Sequence, residues 1–100
     1  MIARIWQGWA SPATANEYER HYESEVAQHL QGVVGFRGAR LLRRQDGDEV
    51  MFTSNTSMEA VRAFAGVNDE QAVVEDIAQR ALTRWDQRVT HHEVTVDLQP

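Results

Sequence analysis

The chain has 100 residues, no cysteine and a formal net charge of −5. A length of this order makes one domain that buries roughly 60–65% of its unfolded surface, and the missing cysteines exclude disulfides and thiolate sites. The acidic balance argues against non-specific nucleic-acid binding.

The first residues lack the basic-then-apolar layout of a secretory leader, and no apolar run is long enough to cross a membrane. A soluble cytoplasmic protein with a single domain over 1–100 is therefore expected. So small a core leaves oligomerisation as the usual means of burying more area.

Ile2 to Trp9 reads as a strand with apolar weight on both faces: Ile2 and Trp6 on one, Ala3, Ile5 and Trp9 on the other, with Gln7 between them. Ser11-Pro12 opens a turn, and Thr14-Ala-Asn-Glu17 matches a capping box. The helical pattern then runs to about Gln31. Ala15, Tyr18, Tyr22, Val26, His29, Leu30 and Val33 fall within about 120° of one another on the wheel. His29 lies inside this stripe and His21 outside it.

Gly32 ends the helix, and Val34 to Arg44 reads as the second strand. Phe36 and Leu42 share one of its faces, Ala39 and Leu41 the other. The glycines Gly35 and Gly38 suggest that something packs closely on its backbone. Asp46-Gly47 suits a tight hairpin turn, followed by a short third strand, Glu49 to Ser54.

Thr56-Ser-Met-Glu59 is a second capping box, opening a helix that Gly66 stops. Asn68 or Asp69 caps a further helical run with Val74, Ile77, Ala78, Ala81 and Leu82 on its stripe. Arg84 to Leu98 reads as a last strand with a bulge near His91-His92, since its apolar residues change parity there.

The order β-α-β-β-α-(α)-β predicts an α+β, ferredoxin-like subunit built on a split βαβ unit. Helices cover one face of such a sheet, yet the strands carry apolar residues on both. A second copy packed sheet to sheet would cover the remainder, so a homodimer is expected.

Several stretches carry a resemblance over nearly the whole chain. They are Met1-Ile-Ala-Arg-Ile-Trp-Gln-Gly-Trp9, Gly35-Phe-Arg-Gly-Ala-Arg-Leu-Leu-Arg-Arg44, Gly47-Asp-Glu-Val50, Glu59-Ala-Val-Arg-Ala-Phe-Ala-Gly66, Ala72-Val-Val74 and His91-His-Glu-Val94. Together they resemble the antibiotic biosynthesis monooxygenase domain family of the dimeric α+β barrel superfamily. The resemblance implies two ferredoxin-like subunits closed into a dimeric α/β barrel. It also implies a cofactor-independent monooxygenase acting on a small aromatic or quinol-type compound. The chain departs from the family in a shorter segment before the second helix, in Gln7 where His is frequent, and in His92 where Tyr is frequent. The shorter segment and Gln7 favour the rival reading, a non-catalytic dimer that binds a small hydrophobic ligand or serves as an accessory protein.

Cofactor-free oxygenation of this kind takes a base that removes a phenolic proton and polar groups that hold the anion. His29 is the candidate base, with Tyr22 and Asn55 as orienting groups. Trp6 or Trp9, depending on which face of the first strand meets the helices, supplies an aromatic wall to the pocket between the sheet and the first helix, and Gln7 and Arg40 are further candidate substrate-binding residues. The plain alternative makes His29 an ordinary core histidine and pairs the arginines of the second strand with acidic neighbours. No metal site is expected. His21, Glu25 and His29 recur every four residues, but the two histidines lie about 12 Å apart along the axis. Haem, with His29, His91 or His92 as axial ligand, is the less favoured oxygenase alternative.

Overall fold

The computed structural model describes residues 1–59 and 74–100. The alternating residues Ile2–Ala10 form strand β1. The first helix follows in three pieces: α1 (Ala15–His21), a π-helical turn (Tyr22–Val26) and α2 (Ala27–Gln31). Strands β2 (Phe36–Asp46) and β3 (Glu49–Met58) make a hairpin. Helix α3 (Asp76–Ala81) leads into β4 (Leu82–Trp85) and β5 (Thr90–Glu93).

Every strand pairing is antiparallel, in the order β2-β3-β1-β4, with β5 also paired to β1. β1 and β2 are thus separated by β3, the split βαβ arrangement that defines a ferredoxin-like α+β fold. The fourth column of the sheet is divided. β4 meets Gly8–Ala10 of β1 and β5 meets Ile2–Ile5. Between them the Asp86 amide donates to the Gln7 carbonyl at 2.9 Å.

Several expected boundaries move. The third strand is ten residues long, so Thr56 sits inside a ladder and cannot cap a helix. The helix expected over 60–65 and the caps at Asn68 and Asp69 lie outside the described residues. The last strand is interrupted at Asp86–Val89 instead of bulging at His91-His92, which alternate normally opposite Arg4 and Ala3. It ends at Glu93, and the Val94 amide donates to the Met1 carbonyl at 3.0 Å. Beyond it Val96 and Leu98 stand 71% and 87% exposed.

In β2 a register shift between Phe36 and Gly38 puts Phe36 opposite Met58, whereas Leu42 lies opposite Thr53, so the two residues face opposite sides. Gly38 serves this irregularity with a φ of 157°, and nothing lies within 4 Å of where its Cβ would be. The expectation of close packing on Gly38 is therefore replaced by a backbone requirement. The hairpin loop is Gly47-Asp48, with Asp46 paired to Glu49. A positive φ at the first loop position alone is the II′ pattern.

The core lies between the helices and one sheet face. Ala10, Ala15, Tyr18, Val50, Phe52, Ala78, Ala81 and Leu82 are buried there, with Trp6, Leu41, Val74 and Trp85 packed against them. Ile77, expected on this stripe, is 58% exposed. The short α3 turns its Ala78–Ala81 face inward and Ile77 away from it.

Thr14 does not cap its helix through the side chain. Its hydroxyl instead donates to the Ala81 carbonyl at 2.7 Å, joining the start of α1 to the end of α3. Of the second-strand arginines, Arg43 pairs with Glu19 at 2.8 Å and Arg37 with Glu59 at 3.3 Å. Their partners are thus not the hairpin acids.

Gly8 is a close-approach site. A Cβ there would lie 2.7 Å from the Trp6 ring and 3.4 Å from Leu82. The Trp6 ring has little freedom to yield, because its indole N–H donates to the Asp86 carbonyl at 2.8 Å. Gly8→Ala is expected to cost about 1–3 kcal/mol by overpacking, read as a lower urea midpoint with an unchanged m-value.

Candidate functional site

Among the described residues, a cavity of about 390 Å³ lies between the first helix and the sheet. Its floor comes from alternate residues of two central strands: Arg4 and Trp6 of β1, and Ser54, Thr56 and Met58 of β3. One wall is the first helix, through Tyr18, His21, Tyr22, Val26, His29 and Leu30. Val33 extends that wall, and Val74, Glu75, Ala78 and Val89 bound the remaining sides.

Aromatic packing defines one end. Tyr18 lies against Phe52 with ring centroids 4.8 Å apart and against Trp6 at 6.4 Å. The Tyr22 hydroxyl is buried and has no hydrogen-bond partner among the described residues.

Three of the seven candidate residues, Trp6, Tyr22 and His29, border this cavity. The other four do not. Asn55 pairs with both Ile5 and Arg40, and Gln7 pairs with Thr53, so strand alternation places Asn55, Arg40, Gln7 and Trp9 on the opposite sheet face. One pocket holding all seven residues is not formed by a single chain.

On that outer face the Gln7 amide donates to Thr53 at 3.4 Å, and the Trp9 indole to Asp46 at 2.9 Å. Arg84 stacks on the Trp9 ring at 3.9 Å. Glu49 accepts from Arg84 and from the Thr83 hydroxyl, and the Thr83 bond leads the causes that hold its carboxyl below the usual range. The Asn55 side-chain oxygen is buried there without a partner among the described residues.

His21 joins the cavity wall although the helical wheel leaves it off the stripe. The π-helical turn explains this. An i→i+5 turn accommodates one extra residue, so the stripe beyond it is set back by roughly 100°. The regular wheel centres the stripe on Ala15 and Val26; the π turn moves its later half toward the His21 side. His29 is exposed at the cavity margin, whereas His21 is only 7% exposed. Ser54, the last residue of the expected third strand, shares the parity of Phe52, and Thr56 joins it with Met58 once that strand is run to its full length.

Among the described residues, no three His, Cys, Asp or Glu side chains gather where a metal ion could be held.

No family model and no curated protein matches the sequence. Among solved structures, a point mutant of MhuD with two manganese protoporphyrin IX molecules bound per active site aligns over 100% of both chains. The TM-score is 0.62 and the identity 22%. The two chains share a fold. The similarity confirms the ferredoxin-like α+β architecture expected from the order of elements.

Burial pushes the Tyr18 phenol well above the usual tyrosine range, and the nearby Tyr22 adds to the push. An acid whose folded pKa is raised contributes stability that is complete below its unfolded value and lost as pH rises. Stability should therefore fall as pH climbs above about 10, where unfolded tyrosine ionises. Tyr18→Phe is expected to flatten that alkaline limb in urea-midpoint measurements.

Proposed function

We propose that the protein is an oxygenase of the antibiotic biosynthesis monooxygenase type, acting as a homodimer on a flat phenolic or quinol-type compound held between the sheet and the first helix. The observation that carries this reading is the Tyr22 hydroxyl, buried at the cavity wall with no partner among the described residues. An unpaired buried hydroxyl costs about 1–3 kcal/mol, and an acceptor oxygen on a ligand would remove that cost. Around it Trp6, Val26, Leu30 and Met58 offer carbon surface, which suits an aromatic ligand with few polar atoms.

The chemistry needs little from the protein beyond binding and a proton acceptor. An imidazole on the cavity wall takes the phenolic proton. The electron-rich anion then supplies the electrons that reduce oxygen. At a methylene flanked by phenolic rings the balance closes: the carbon loses two hydrogens and gains one oxygen as a carbonyl, and the second oxygen leaves as water. Trp6 and Tyr18 provide flat walls, and Tyr22 donates to a ligand oxygen.

The outer sheet face supports the dimer. Ile5, Trp9, Met51 and the 52% exposed Leu42 lie on it, interleaved with Gln7, Thr53, Asn55 and Arg40. A second copy packed there would enclose Asn55 and Arg40. Sedimentation at micromolar concentration should give twice the 11.4 kDa of one chain, and a monomer would sink this part of the reading.

Oxygen uptake by the purified protein against a panel of quinols and anthrones tests the activity. Tyr22→Phe should stabilise the ligand-free protein by about 1 kcal/mol while weakening ligand binding about fivefold to tenfold. A folded dimer that consumes no oxygen with any compound would favour the non-catalytic ligand-binding role.

A second reading follows from the porphyrins in the MhuD structure. The cavity residues fit a tetrapyrrole in kind: His21 or His29 for the metal, Arg4 for a propionate, Trp6 and Tyr18 as flat walls. Bound haem would supply oxygen activation at its iron. A Soret shift on haem titration that depends on one of these histidines would select this reading.

A further inference from the structure

His21 combines three properties that no other histidine of the described residues shares. It is 7% exposed, it borders the cavity, and neither ring nitrogen has a hydrogen bond to protein among the described residues. Buried polar side chains nearly always have a partner. That applies with most force to the adjacent Tyr22 hydroxyl at the same wall, an oxygen closed to solvent and without a partner among the described residues. Two neighbouring unpaired groups, one able to accept a proton and one able to donate, match a single ligand hydroxyl.

We propose that His21, and not His29, takes the proton of a ring-borne hydroxyl on the ligand, so that the cavity selects phenols over ring compounds lacking that group. The inference rests on the reading of the cavity as the ligand site. In the step, the ligand O–H bond breaks and an imidazole N–H bond forms. Phenolate and imidazolium remain together as a net-neutral pair, whose contact attraction and a hydrogen bond from Tyr22 to the phenolate oxygen offset the loss of solvation.

Among the described residues, the charged and titratable groups facing the same space are Arg4 from β1, Tyr18, Tyr22 and His29 from the first helix, and Glu75 ahead of α3. Arg4 adds positive charge on the sheet side, where it favours the anion. Burial keeps Tyr18 protonated, so it does not compete as a base. His29 is exposed, and a proton that it accepts passes to water.

The test uses 1-naphthol, which keeps its proton in water at about pH 7. The unmodified protein should show the naphtholate absorbance band on binding at that pH. His21→Gln should abolish the band and weaken binding about tenfold, the loss of a hydrogen bond to a charged group. Asp48→Asn, exposed in the loop between β2 and β3, should change neither.

A band that survives in His21→Gln, or is lost in His29→Gln instead, overturns the proposal. So does naphthol that binds without the band, or that does not bind. If His21→Gln fails to fold, nitrogen NMR of the imidazoles in the unmodified protein decides. Conversion of His21 to imidazolium on naphthol binding supports the assignment, and an unchanged His21 resonance defeats it. The band without oxygen uptake leaves the His21 assignment standing and removes the oxygenase reading. Uptake together with a band that persists in His21→Gln does the reverse.

Discussion

The contact of Tyr18 with Phe52, seconded by Trp6, is the constraint on which the rest of the structure depends. It fastens the first turns of the first helix to the centre of the sheet with ring centroids 4.8 Å apart. Aromatic pairs of this kind add about 0.5–1.5 kcal/mol beyond the area they bury. The Thr14 hydroxyl on the Ala81 carbonyl ties the same end of the helix to α3. Beyond the π-helical turn the situation changes, since α2 contains no buried residue. The helix is anchored at one end, and the cavity begins where the anchoring stops.

The π-helical turn is the second determinant. π turns inside α-helices are uncommon and frequently mark functional sites. Here the turn starts at Tyr22, the residue whose hydroxyl is buried without a partner, and directly follows His21. It brings two imidazoles to one wall that a regular helix would place on different faces. A local departure from ideal geometry thus sets which polar side chains border the cavity. The sheet below contributes a matching polar strip, Ser54 and Thr56, between buried Phe52 and Met58.

Much of the fold was legible because strand and helix periods are elementary. β1 alternates visibly, and the order of elements leaves few topologies to choose from. The apolar stripe from Ala15 to Val33 places Tyr22 and His29 at the cavity between the first helix and the sheet. What could not be read is equally specific. A capping-box pattern at Thr56 outweighs the continuing alternation of β3, so the expected third strand stops at Ser54 and Thr56 falls outside it. Nothing in Tyr22–Val26 announces an i→i+5 turn, so His21 was set aside. Asn55 was assigned to the pocket because it was placed at the end of a strand. In mid-strand its parity decides its side, and that side is the outer face. The irregularity at Phe36 and Gly38 likewise turned Phe36 away from Leu42.

The division of the first helix into an anchored half and an open half also bears on how such a protein changes over generations. Ala15, Tyr18 and their sheet partners hold the fold, and substitution there is answerable to stability. Val26, Leu30 and Val33 border the cavity but are only partly buried, so their volumes are constrained mainly by what the cavity must admit. Selection can act on ligand preference through these three positions while leaving the stabilising contacts intact. A fold arranged in this way can be inherited by lineages with different ligands, and a designer can alter the shape of the site without rebuilding the core.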